Sequence, residues 1–282
     1  MELYTTLWYP IPKNSHYYKY INTIPYHPNK EEKTNHTQEA KEFSRESPCD
    51  LLPSYIEYIT RRWRLYRSLP FVRQIYLCNS ITFNALHPNS DIDFYIITSK
   101  GYLRRARFRS LLFFSLTGLK RSLNNKKMKI CLSFYTDEQH SNLYHLRKTE
   151  WDIYLSFRLA HNVLLYTDET LSNDYIWQQN KALLEYLPYH PLCQTIELWL
   201  SLISWSSWGK KTIELFCKNK IWKTIQYIFS TIRKKILLYK TKSLSRRQQN
   251  EIIISNTMLK FHDDKRPLYQ FRTKNKNSKT KW

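Results

Sequence analysis

Leu77-Cys78-Asn79-Ser80, then ten residues, then Asp91-Ile92-Asp93-Phe94-Tyr95-Ile96-Ile97-Thr98: the reading of the chain turns on this stretch. The run from Asp91 to Thr98 alternates and is β-branched towards its end, so it reads as a strand. Successive side chains of a strand point to opposite faces, which sends Asp91 and Asp93 the same way and turns Ile92, Phe94 and Ile96 towards a core. Converging carboxylates suit Mg²⁺, a hard ion that keeps waters and takes one or two carboxylates together with substrate phosphates. By itself an Asp-x-Asp pair has a plainer reading, a strand end with two solvated carboxylates. Leu77 to Ser80 closes an earlier strand and opens a polar loop, where backbone N–H groups and a hydroxyl can hold a triphosphate.

Outward from this centre the chain alternates in type. Leu52, Tyr55, Ile56, Ile59, Trp63 and Tyr66 recur at helical spacing, ending near Pro70. Val72 to Leu77 is a short β-type run. Tyr102 to Leu119 reads as a basic amphipathic helix stopping near Gly118, Met128 to Tyr135 as a third strand, and Glu150 to Leu165 as another helix. The order predicts an α/β (α+β) unit on a small mixed β-sheet with flanking helices. Beyond Asp168 the pattern is mainly helical, with candidates near 170–187, 191–207, 210–239 and 244–260. The expected organisation is a loosely ordered arm at 1–48, the sheet domain at 49–168, a helical C-terminal domain at 169–262 and a basic tail at 263–282.

Ser80, ten residues and Asp-x-Asp together resemble the signature of the nucleotidyltransferase superfamily, which includes DNA polymerase beta and the minimal nucleotidyltransferases. Lys129 to Phe134 is similar to the third strand of a bacterial and archaeal subset, and Ile254 to Arg266 to the end of those proteins. The likeness spans roughly residues 50 to 270, and its specific part is 77–98. It implies that Asp91 and Asp93 are catalytic and hold Mg²⁺ (or Mn²⁺), and that Asn79 and Ser80 bind the phosphates of a nucleoside triphosphate. Three positions depart from the pattern. Asn79 and Asn84 stand where the family has Gly, and Asn tolerates a left-handed backbone better than other residues. The third strand has Cys131 and Ser133 in phase, where many active members carry a third carboxylate. Asp137 and Glu138, just past that strand, read as solvated loop residues that could substitute for it.

With 45 Lys and Arg against 23 Asp and Glu, the net charge of +22 favours polyanion partners, RNA among them. Codon bias with a solvated basic surface is the other reading. The same choice holds for Arg104, Arg105, Arg107 and Arg109, and for Arg61-Arg62. His262 has two readings, a base or phosphate contact and, more plainly, a capping or packing residue. The five cysteines are widely spaced and without zinc-ligand spacing, so they read as reduced thiols of a cytoplasmic protein. No signal segment is evident at the start, and the apolar stretch Leu198 to Trp208 is about half the ~20 residues a membrane span needs, which makes a membrane partner unlikely. No Gly-x-Ser-x-Gly elbow or Walker-type loop occurs. The expected function is Mg²⁺-dependent transfer of a nucleoside monophosphate to RNA, protein or a small molecule. The alternative is a catalytically silent version of the same fold that binds RNA or protein.

Overall fold

Large apolar residues on both faces of the central strand determine how the layers stack. The computed structural model describes residues 51–82, 86–122, 124–147, 153–168, 170–184 and 252–260, with isolated positions between 224 and 235. The readings made for the arm 1–48, for Asn84, for the helices proposed within 185–251, and for His262 and the tail lie outside the described residues. Helices α1 (Leu52–Thr60) and α2 (Trp63–Arg67) lead into β1 (Val72–Cys78), a 3₁₀ turn at Asn79–Ile81 and β2 (Ile92–Thr98). Then come α3 (Leu103–Leu116), β3 (Ile130–Asp137), α4 (Ile153–Ala160), β4 (Val163–Thr167), α5 (Tyr175–Gln179) and α6 (Lys181–Leu184), and finally β5 (Ile253–Ile254) and β6 (Met258–Lys260).

The six strands form one mixed sheet in the order β4-β1-β2-β3-β6-β5. β1 pairs antiparallel with β2 and with β4, whereas β2 and β3 run parallel. A parallel pair needs a crossover, and α3 supplies it. Its end is built by Gly118, which takes φ +67 just beyond the last turn while the Leu119 and Lys120 amides bond back to the Phe114 carbonyl. Ile92, Phe94 and Ile96 of β2 pack with Tyr55, Tyr66 and Phe114 of α1, α2 and α3. The Tyr66 and Phe94 rings meet edge-on at 5.3 Å. On the other face, Tyr95 and Ile97 pack with Leu155 and Leu159 of α4 and Ile176 of α5. Tyr95 stacks on Phe134 at 4.4 Å.

Four expectations need correcting. The helix expected from Leu52 to near Pro70 is two helices, broken at Arg61 and Arg62 and ending at Arg67. The helix read over Glu150 to Leu165 ends at Ala160, and the β-branched and aromatic run Val163–Thr167 is an edge strand paired with β1. The segment 244–260, read as helical, contributes β5 and β6 and extends the sheet beyond β3, so strands come from both sides of the boundary expected at 168. Asp137 is not a solvated loop residue: it ends β3, is 2% exposed and pairs in register with Thr98. It therefore lies at the far end of the sheet from Asp93, and cannot replace a carboxylate beside it.

Candidate functional site

The end of β1 and the starts of β2 and β3 meet at one edge of the sheet. Cys78 pairs with Asp93, and Asp93 in turn pairs with Cys131 of β3. Because β2 alternates, Asp93 shares a face with Tyr95 and Ile97, the face covered by α4, while Ile92 and Phe94 turn to the opposite core. Asp91 precedes the strand and reaches the same place. One carboxylate oxygen from each aspartate and the Cys131 Sγ lie within 4.8 Å of one another. Asp93 and Cys131 are buried, at 8% and 7% exposure, and the Asp91 side chain is 20% exposed.

The turn after β1 holds Asn79 at φ +63, the left-handed region that the sequence allowed for at this position. That backbone brings its side chain back over the strand. Asn79 Nδ2 donates to Asp93 Oδ2 at 2.8 Å, and the Asn79 carbonyl accepts from both the amide and the hydroxyl of Thr82. Ser80 follows in the same turn and is half-buried.

Two arginines complete the site, and sequence reasoning missed both. Arg158 of α4 donates through Nε to Asn79 Oδ1 at 2.7 Å. Arg121, in the segment joining α3 to β3, binds Asp91 Oδ2 at 2.6 Å and reaches Cys131 Sγ at 3.6 Å. Backbone bonds from Met128 to Ser90 and from Ile92 to Lys129 hold this segment against the start of β2. Burial works against the Arg121 charge, but the nearby Asp91 and Cys131 outweigh it and raise its pKa. Burial, followed by the Asp93 charge, pushes the Cys78 and Cys131 thiols well up, so both are protonated in this arrangement.

The arginines singled out from sequence lie elsewhere. Arg104 bonds Asn256, Arg105 stands over the Tyr102 ring, and Arg109 over the Phe71 ring at 4.8 Å. Arg104 and Arg105 sit at the start of α3, which lies past the C-terminal end of β2 and roughly 20 Å of strand from Asp91. Arg61 pairs with Glu57 on an exposed helix face, and Arg62 covers the Tyr58 ring at 3.6 Å. Among the described residues no helix is long and apolar enough to cross a membrane.

The donor set divides in its fit to a cation. Asp91 and Asp93 match the one or two carboxylates with which Mg²⁺ is held beside phosphates. Cys131, the third member of the cluster, does not match a hard ion. No family model and no curated protein matches the chain.

Proposed function

We propose that the chain is a metal-dependent nucleotidyltransferase that moves a nucleoside monophosphate from a nucleoside triphosphate to RNA, protein or a small molecule. The observation that carries this reading is the left-handed turn at Asn79, whose side chain donates to Asp93, with Ser80 next in the same turn. Spacing in a sequence can arise by chance. Phe71 and Met128 also have positive φ, and what sets Asn79 apart is that its side chain bonds an aspartate of the pair.

In this reading the Ser80 hydroxyl and the amides of 79–81 bind the β- and γ-phosphates. Arg158, held at Asn79, supplies a cation beside that turn. Arg121 is 36% exposed, so it can leave Asp91 for a phosphate oxygen and make a charge-assisted bond there. A divalent cation on Asp91 and Asp93, Mg²⁺ or Mn²⁺ by the sequence expectation, supplies charge neutralisation when bound. The acceptor oxygen bonds to the α-phosphorus and pyrophosphate departs, a reaction driven by positioning and fixed charge.

One observation favours the silent alternative. Arg121 on Asp91 and Arg158 on Asn79 set fixed cations against the groups that would receive metal and phosphate. A transfer assay decides between the two. Native protein and the Asp91→Ala/Asp93→Ala variant are incubated with each labelled nucleoside triphosphate, a divalent cation, and total RNA or protein extract as acceptor. Label moved by the native protein alone supports the transferase. Nucleotide or RNA bound without any transfer supports the binding module.

A further inference from the structure

Cys131 occupies the position on β3 that faces Asp93 across the parallel pair. Its sulfur, one oxygen of Asp91 and one of Asp93 lie within 4.8 Å of one another. Metal–ligand bonds of about 2.0 Å to oxygen and 2.3 Å to sulfur can span that cluster after small rotamer adjustments. The register of β2 on β3 shifts between Asp93 and Tyr95: between the pairs Asp93–Cys131 and Tyr95–Phe134, Phe94 alone stands against Leu132 and Ser133. Bulges of this kind re-aim side chains beside functional sites. Here the bulge leaves Cys131 in the cluster and still stacks Phe134 on Tyr95. No other acid of β3 can enter, since Asp137 is six residues further on, about 20 Å along the strand.

A thiolate is a soft ligand, and Mg²⁺ takes oxygen in near-octahedral geometry. Zinc-class ions accept carboxylate oxygen and thiolate sulfur together, and three protein ligands leave a fourth, open tetrahedral position. We propose that Cys131 is the third protein ligand of this centre, and that the centre selects a thiophilic divalent ion of the zinc class over Mg²⁺. The inference rests on the reading of Asp91 and Asp93 as a metal site, and it replaces the ion expected from the sequence. On binding, the Cys131 S–H bond is exchanged for a sulfur–metal bond and the proton leaves to solvent. Arg121, which touches both Asp91 and Cys131, swings outward, and the open position accepts a phosphate oxygen of the nucleotide.

Co²⁺ is the probe, because it adopts zinc geometry and reports thiolate ligation by a near-ultraviolet charge-transfer band. The full chain is titrated with Co²⁺ as the native protein and as Cys131→Ser, Cys131→Asp and Cys78→Ser, with melting curves establishing that each is folded. The band is expected in the native protein and in Cys78→Ser, and it should survive a large excess of Mg²⁺. Cys131→Ser should lose the band and bind Co²⁺ at least ~10-fold more weakly, the lower end of what losing even an outer-shell partner costs. Cys131→Asp should also lose the band, yet bind Mg²⁺ in competition with Co²⁺. Persistence of the band in Cys131→Ser, or displacement of Co²⁺ from the native protein by comparable Mg²⁺, overturns the proposal. Nucleotide transfer with Mg²⁺ and no thiolate band overturns this inference and leaves the transferase standing. The band without transfer under any metal keeps Cys131 as a ligand and removes the transferase.

Discussion

The two ends of the sheet use their charges in opposite ways. Where β2 and β3 finish, each acid is tied to a different part of the chain. Asp137 accepts from the Gln139 amide and pairs with His140 at 2.6 Å. Glu138 accepts from the Lys100 amide, and Arg73 stands between Glu138 at 3.5 Å and Asp168 at 2.7 Å. Asp168 also accepts from the Thr170 amide. These carboxylates join the loops that follow β2, β3 and β4, with Arg73 bridging Glu138 and Asp168. Where β2 and β3 begin, Asp91, Asp93 and Cys131 converge instead. Convergence of like groups lowers no folding energy, because neighbouring carboxylates disfavour one another's charge. One end spreads its acids among separate loops and ties them together, while the other gathers two aspartates, partnered by Arg121 and Asn79, into one cluster with Cys131.

The largest effect is expected at the holding end. Arg73 and Asp168 are 23% and 10% exposed, and removing the guanidinium leaves two carboxylates short of a cation. Arg73→Ala should cost about 2–3 kcal/mol, below the range for a fully buried pair because water reaches this one in part. Such a loss corresponds to a fall in Tm of roughly 5–10 °C for a chain of this size, with Co²⁺ binding unchanged. An unaltered Tm would remove the contrast between the ends.

Asn79 sharpens it next, because there backbone strain and site geometry coincide. Asn79→Ala loses the bonds to Asp93 and Arg158 and keeps a methyl group in a left-handed turn, for a cost of about 2 kcal/mol. Asn79→Gly loses the same bonds but relaxes the turn, and should cost about 1 kcal/mol less. Urea midpoints at equal slope measure the difference. Equal costs would show that Asn79 is present for its side chain alone.

How much of this was legible in the sequence follows from how local each signal is. Asp91 and Asp93 are two residues apart at the start of β2, Asp91 just before it and Asp93 within it, so their convergence could be read from the strand period. Asn79 is the residue type that tolerates φ +63, so the turn could be anticipated as well. Cys131 was in phase but was read only as a missing acid, because a thiol becomes a ligand only beside the other two. Arg121 and Arg158 come from segments 30 and 79 residues away from Asp91 and Asn79, their respective partners, and no periodicity encodes such a pairing. The Arg-rich start of α3 was the louder signal and lies at the other end of the sheet. β4 reads as the continuation of a helix because only His161 and Asn162 separate the apolar end of α4 from the short run Val163 to Tyr166, and in so short an apolar run a buried strand and a buried helix look alike. β5 and β6 are too short to show alternation.

The smallest effect is the most discriminating. Asp91→Asn keeps the shape of the side chain and an oxygen able to accept from Arg121, but removes one negative charge from beside Asp93. The Arg121 bond weakens from charge-assisted to neutral, and water already screens it, since Arg121 is 36% exposed. Relief of repulsion within the cluster acts in the other direction. The two changes are of similar size, so the melting curve of the variant in metal-free buffer should lie within about 0.5 kcal/mol of the native one. The matched change at the far end, Asp168→Asn, weakens the bond to Arg73, with only the repulsion from Glu138 across the shared guanidinium to relieve, and should cost about 1–2 kcal/mol. Added salt should narrow the Asp168 difference and leave the Asp91 difference near zero. If Asp91→Asn instead destabilises as much as Asp168→Asn, Asp91 is held for the fold through Arg121. The convergence at the start of β2 then has a structural cause, and the metal centre loses the argument that its carboxylates are there for something other than stability.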